Sequence, residues 1–184
     1  MAISNSARLA RTSDIDDIAD VQVRTWRHDF ADLLPSETLE NLDPADLAFE
    51  WGRALLAGEA HRVFVAVAED SGAIVGAASV GPASDADLEG LNVGEIGTLF
   101  IDPEHQRAGH GSRLMHACID MLRGAGVSEC VTWIALDDEP RRAFFTSAGW
   151  GPDSAYRDLQ VGIAADEASA EATTVREIRL VTAL

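Results

Sequence analysis

Residues 101–122 contain two glycines, Gly109 and Gly111, at the point where the apolar pattern of a strand ends and apolar residues begin to recur with the spacing of a helix. The segment reads IDPEHQRAGHG and continues as SRLMHACIDML, so the helix is entered through Ala108-Gly109-His110-Gly111. A helix entrance ordinarily carries Ser, Thr, Asp or Asn, whose side chain accepts a hydrogen bond from the free amides of the first turn. Without such a residue these amides are left for an outside acceptor, and a phosphate is the usual one.

Three kinds of phosphate-binding turn compete for this segment. A P-loop ends in Gly-Lys-Ser/Thr, which is excluded because all 14 basic residues of the chain are arginine. A dinucleotide turn, G-x-G-x-x-G, fits Gly109 and Gly111 but meets Leu114 where its third glycine should stand. The pattern that remains is Q/R-x-x-G-x-G/A over residues 106–111, placed after a strand and at the start of a helix.

The elements around this turn predict a single α/β domain over residues 1–184. Apolar alternation predicts seven strands, at residues 7–11, 61–70, 73–81, 94–102, 129–136, 156–163 and 173–181. Helical spacing predicts a helix from Ile15, a second through residues 49–55, the helix after the turn, and a last one over 137–150. We therefore expect a mixed, largely antiparallel sheet of about seven strands flanked by about four helices.

The composition is strongly acidic and excludes some partners. The chain has 31 Asp and Glu residues against 14 Arg, a net charge of −17, which argues against nucleic acid or an anionic membrane surface. No apolar run approaches the roughly 20 residues that span a bilayer, and the first residues lack the apolar region of a signal peptide. We expect a cytoplasmic protein with Cys118 and Cys130 in its core.

Three motifs, in the expected order, resemble the GNAT superfamily of N-acetyltransferases. They are the N-terminal ARTSDIDDIADVQVRTWRHDFADLLP, the central GEIGTLFIDPEHQRAGHGSRLM, and DDEPRRAFFTSAGW. The resemblance covers nearly the whole chain. It implies the GNAT fold, with direct transfer of the acetyl group of acetyl-CoA to a primary amine of a small molecule, peptide or protein. It also implies a homodimer, for which the apolar residues of REIRLVTAL offer a surface.

The resemblance also implies a coenzyme A site. In the family the glycine turn binds the pyrophosphate, and the backbone of the preceding strand pairs with the pantetheine arm. The cofactor residues implied are Leu99, Phe100, Ile101, Gln106, Arg107, Ala108, Gly109, His110, Gly111, Ser112, Asp138 and Phe144. Asp138 replaces a family asparagine, and a carboxylate is a poor neighbour for a phosphate. We expect no metal, because His105, His110 and His116 match no common zinc motif.

The catalytic residues are less conventional. Glu95 matches a family position that often holds a catalytic or water-binding glutamate, so it is the candidate base, with an exposed strand-end acid as the alternative. Phe145 stands where the family commonly has a tyrosine that protonates the leaving sulfur, so Tyr156, the only tyrosine of the chain, is the candidate acid, with an amphipathic aromatic at a strand start as the alternative. A dedicated acid is optional, because a coenzyme A thiol can leave as thiolate with solvent assistance. Because both the tyrosine and the asparagine are lost, a catalytically weak acyl-CoA sensor is the alternative function. Release of the coenzyme A thiol from acetyl-CoA across a panel of amines distinguishes the two.

Overall fold

A computed structural model gives the structure of the protein and describes residues 7–161 and 173–184. The strands are β1 (Ala7–Leu9), β2 (Arg62–Val67), β3 (Ile74–Pro82), β4 (Val93–Ile101), β5 (Glu129–Ala135), β6 (Gly151–Val161) and β7 (Thr173–Ala183). The helices are α1 (Ile15–Asp29), α2 (Ser36–Glu40), α3 (Pro44–Leu56), α4 (His110–Gly124) and α5 (Glu139–Ser147).

The strands form one sheet in the order β1-β2-β3-β4-β5-β7-β6, in which only β4 and β5 run parallel. The predicted mixed, largely antiparallel sheet of seven strands is confirmed. Five helices rather than about four flank it, because Ser36–Glu40 forms a short helix of its own. Five residues are too few to show a helical period in the sequence.

Helices cover both faces of the sheet. On one face α4 packs against the strands through a core that includes Ile96, Leu114, Cys118, Leu122 and Phe145. On the other face α1 and α3 bury a second core that includes Ile18, Val21, Trp51, Val65 and Phe100. The indole N–H of Trp51 donates to the Gln22 amide oxygen at 2.6 Å and ties α3 to α1. The phosphate-turn helix α4 is therefore held on the face opposite α1 and α3.

The C-terminal strands differ from their predicted extents. The strand predicted over 156–163 begins five residues earlier, at Gly151; its last two predicted residues, and the Ala/Glu/Ser-rich loop after them, lie outside the described residues. Strand β7 lies between β5 and β6, so both of its edges are already paired. The homodimer stays a prediction, and strand pairing between copies here would use the outer edge of β6.

Candidate functional site

The parallel strands β4 and β5 separate after a short contact. They pair through only three residue pairs, from Val93 with Glu129 to Glu95 with Val131. From Ile96 to the end of β4 the described residues provide no strand partner on that edge. A gap therefore opens in the middle of the sheet, from Ile96 towards the carboxyl end of β4.

A β-bulge and a side-chain hydrogen bond mark the point of separation. On β3, Ser79 faces Thr98 and the next residue faces Ile96, so Gly97 is an extra residue in β4. Such a bulge bends the strand that carries it. The Thr132 hydroxyl on β5 donates to the Ile96 carbonyl at 2.8 Å and satisfies the first acceptor that has lost its strand partner.

The backbone of β4 beyond the bulge presents polar groups to the gap. The amide of Asp102 donates to the Val75 carbonyl of β3 at 2.8 Å. Because peptide groups alternate along an antiparallel strand, those of Leu99 and Ile101 point away from β3, whereas those of Phe100 face its partner Ala77. Of the three strand residues implied for the cofactor, Leu99 and Ile101 offer backbone groups and Phe100 is a buried packing residue.

The glycine turn follows directly. After a single turn of 3-10 helix at Pro103–His105, Arg107 and Gly109 adopt left-handed backbone conformations, with φ of 60° and 84°. Helix α4 then begins at His110 with no side-chain cap on its amides. Among the described residues no acceptor takes the backbone N–H groups of residues 107–112. These amides lie at the positive end of the helix dipole, an arrangement that can bind an anion.

Side chains around the turn leave its backbone accessible. A Cβ on Gly111 would lie 3.5 Å from the Phe144 ring and 3.8 Å from Ile101, so this glycine packs between α5 and the end of β4. Gln106, Ala108, Ser112 and Arg107 are exposed. His110 is buried with its Nδ1 unpartnered among the described residues, and burial together with Arg113 lowers its pKa.

Glu95 is the last residue of β4 that pairs with β5, so it lies where the gap begins. Its Oε2 accepts hydrogen bonds from both the amide and the hydroxyl of Ser84, each at 3.2 Å. The side chain is half-buried and lines a cleft of about 210 Å³ together with Ala54, His61, Ser79 and Gly97. A carboxylate with a free face towards a small cleft can accept a proton from an amine held there.

Asp138 immediately precedes α5, and the two phenylalanines lie within it. The Asp138 carboxylate caps this helix, accepting from the Arg141 amide at 3.0 Å, and it pairs with the Arg141 side chain at 3.3 Å. Arg141 therefore neutralises the acid that replaces the family asparagine. Phe145 is buried and packs edge-on against Phe144 and Trp150, so no proton donor stands at this position.

Tyr156 lies on β6, at the outer edge of the sheet. Its side chain is 64% exposed, and the Arg176 guanidinium lies 4.9 Å from the ring centroid. Strands β5 and β7 intervene between it and Glu95, three strand steps or about 14 Å in a regular sheet. The structure places Glu95 at the gap, on the strand that leads to the turn, but it does not bring Tyr156 to Glu95 within one chain.

Sequence reasoning missed Thr132 and Ser84, which contact the site through hydrogen bonds. Thr132 is the one hydroxyl residue in the apolar run ECVTWIAL, a signal that could have been noticed. Ser84 lies in an acidic loop with no signal of its own. Among the described residues, no cluster of three or more metal-binding side chains occurs and no helix is long and apolar enough to cross a membrane.

Comparison with known proteins agrees with this geometry. A sequence model of the Acetyltransferase (GNAT) family matches residues 17–150. A Bacillus subtilis (strain 168) protein named "Uncharacterized N-acetyltransferase YuaI" is 29% identical over 153 residues, which are 83% of each chain.

Two solved structures share the fold. The PaiA N-acetyltransferase of Thermoplasma acidophilum in complex with coenzyme A has a TM-score of 0.71 and 14% identity, over 97% of this chain and 98% of that chain. The YncA protein of Salmonella typhimurium with acetyl-CoA has a TM-score of 0.68 and 21% identity, over 97% and 92%.

Proposed function

Because the chain belongs to the GNAT family of acetyltransferases, we propose that it transfers the acetyl group of acetyl-CoA to a primary amine of a small molecule, peptide or protein. The observation that carries the proposal is the separation of β4 from β5, which leads along an unpaired strand edge to the uncapped turn of α4. Fold relatives that hold coenzyme A or acetyl-CoA support it.

The residues of the gap and turn suit coenzyme A. The amides of residues 107–112 match a pyrophosphate, and the exposed Arg107 and Arg113 supply positive charge in a protein whose net charge is −17. The outward peptide groups of Leu99 and Ile101 match the amides of the pantetheine arm, although Gln106 already donates to the Ile101 carbonyl at 3.2 Å. Phe144 closes the site beside Gly111.

Glu95 is the proposed base. The bound cofactor supplies an activated acetyl thioester, and an amine attacks it only after losing a proton. Glu95 accepts that proton, directly or through one water, while Ser84 keeps the carboxylate oriented through its two hydrogen bonds. The acceptor approaches from the cleft that Glu95 lines.

Neither of the two positions considered for the acid places a phenol beside Glu95. Phe145 lacks a hydroxyl and Tyr156 stands on the far edge strand. A thiol titrates near pH 8.5, so the leaving thiolate needs little help and water can protonate it. No side chain is therefore needed to protonate the leaving thiolate.

Release of the coenzyme A thiol, followed across a panel of amines, tests the proposal. We expect release that depends on both the amine and acetyl-CoA, with formation of the acetylated amine. Tight binding of coenzyme A without release for any amine would favour the sensor instead, which the replacements at Asp138 and Phe145 allow. Failure to bind coenzyme A would exclude both functions.

A further inference from the structure

Arg179 of β7 is a buried cation that joins three separate parts of the chain. Only 5% of the residue is exposed. Its Nε donates to Asp153 at the start of β6 at 2.7 Å. Its two other nitrogens donate to Asp87 at 2.9 and 2.7 Å, and one of them also contacts Asp85 at 3.3 Å. One guanidinium thus binds three carboxylates, two from the segment between β3 and β4 and one from β6.

Two of these carboxylates belong to the segment 83–92, which joins β3 to β4. The indole N–H of Trp133 on β5 also donates to Asp85, at 3.0 Å. The Arg179 guanidinium in turn lies 5.5 Å from the centroid of the Trp133 ring. Arg179 and Trp133 together therefore hold the segment against the β5–β7 half of the sheet.

Ser84, which donates both of its hydrogen bonds to Glu95, is the immediate neighbour of Asp85. A path of direct contacts consequently runs from Arg179 through Asp85 to Ser84 and on to Glu95. The hydrogen bonds that Arg179 donates, first to Asp87 and then to Asp153, raise the pKa of Arg179 although its burial opposes this, and the bond from Arg179 lowers the pKa of Asp87. The three carboxylates carry one negative charge each, and Arg179 offsets one of these charges. Without Arg179 the carboxylates would repel one another.

We propose that Arg179 is a positioning residue of the acetyl-transfer site, because it holds the 83–92 segment so that Ser84 stays in contact with Glu95. This inference rests on the proposed role of Glu95 as base. Arg179 itself touches neither the cleft nor the turn. Its effect on catalysis is indirect and passes through the segment.

The chain offers a matched control on the same strand. Arg176 forms a comparable pair with Asp158, with nitrogen–oxygen distances of 2.7 and 2.9 Å, but it is exposed and three residues away. An odd number of positions along a strand places its side chain on the opposite face. Arg176→Met therefore removes the same kind of ion pair without touching the segment.

Amide hydrogen exchange on the intact protein is the first measurement. In Arg179→Met we expect the amides of residues 84–92 to exchange at least about tenfold faster, with Arg176→Met unchanged. If Arg179→Met fails to fold, Asp87→Asn weakens the same contacts from the exposed side and should accelerate the same amides at least about threefold. Unchanged exchange in a folded Arg179→Met or Asp87→Asn protein would overturn the proposal.

A double-mutant cycle is the second measurement, made on an amine that the panel has confirmed. We expect Arg179→Met to lower kcat at least about tenfold while the Kd for coenzyme A stays within about twofold of wild type. In a Glu95→Gln background, the same substitution should lower kcat by less than about a further twofold. An equal loss in both backgrounds would mean that Arg179 acts on stability alone and would overturn its positioning role. If the wild-type protein acetylates no amine, the proposed function fails. The amide exchange rates of residues 84–92 would still show whether Arg179 stabilises the segment.

Discussion

The hydroxyl of Thr132 donates a 2.8 Å hydrogen bond to the backbone carbonyl of Ile96 at the point where β5 leaves β4. Both residues are buried, so this carbonyl has no access to water. In a continuous parallel pair it would accept from a neighbouring amide, and here a side chain takes that place. The bond allows the sheet to open at Ile96 without leaving a buried acceptor unsatisfied.

Replacing Thr132 with Val should therefore destabilise the protein although the shape is nearly kept. An unsatisfied buried carbonyl costs about 1–3 kcal/mol, and we expect the free energy of unfolding to fall by that amount. Urea denaturation of wild type, Thr132→Val and Thr132→Ser measures it. The serine variant keeps the hydroxyl, so its free energy of unfolding should fall less than that of Thr132→Val. An equal fall in the two variants would mean that the hydrogen bond does not stabilise the protein.

Replacing Glu95 with Gln should remove the proton acceptor while preserving size. We expect kcat/KM for a confirmed amine to fall at least about tenfold and the acidic limb of its pH profile to flatten, because the amine loses its proton acceptor. The affinity for coenzyme A should stay unchanged. An acidic limb as steep as that of wild type would show that the base lies elsewhere, and Tyr156→Phe would then be compared in the same assay.

Asp138→Asn should improve the cofactor site. Asparagine caps a helix as well as aspartate does, so α5 should keep its stability, and the change removes a negative charge that Arg141 now neutralises. We expect coenzyme A to bind about threefold tighter, which is about 0.6 kcal/mol. Calorimetric titration measures it. Weaker binding would contradict the idea that the acid is unfavourable, and Asp138→Ala controls for loss of the cap.

The two cysteines should be inert in the folded protein. Burial raises the pKa of Cys130 to about 12, and it raises that of Cys118 as well, so neither forms an appreciable thiolate near neutral pH. With a disulfide reagent at about pH 8 we expect no labelling of the native protein and labelling of both cysteines after unfolding. Rapid native labelling would contradict their burial. The same reagent can then report released coenzyme A thiol without a background from the protein.

The elements that sequence predicts well are the ones determined by neighbouring residues. The turn at Gly109 and Gly111 follows from two glycines and a missing cap, and its left-handed conformation at Gly109 is what such a glycine permits. The place of Glu95 at the opening of a strand follows from the apolar pattern after it. Both could be assigned from short segments alone.

Features that depend on distant pairing could not be predicted in this way. The sequence makes Tyr156 a reasonable candidate acid. In the sheet, however, β7 lies between β5 and β6, so Tyr156 on β6 is at the outer edge. Arg179 pairs with Asp85 and Asp87 across 94 and 92 positions, and with 14 arginines and 31 acids the sequence does not say which pairs form. The contact of Thr132 with Ile96 depends in the same way on where two strands part.

Calorimetric titration of coenzyme A into Gly111→Asp tests whether the turn before α4 binds the pyrophosphate. An added Cβ would make ordinary van der Waals contacts here, since its nearest neighbours are the Phe144 ring at 3.5 Å and Ile101 at 3.8 Å, and an acid in the first turn of α4 suits the helix dipole. Gly124→Asp, at the far end of the same helix with nothing within 4 Å of its Cβ, is the matched control. We predict that Gly111→Asp weakens coenzyme A at least tenfold, about 1.4 kcal/mol, while Gly124→Asp binds as wild type does. Equal affinity in a folded Gly111→Asp protein would contradict the assignment of the turn as the pyrophosphate site.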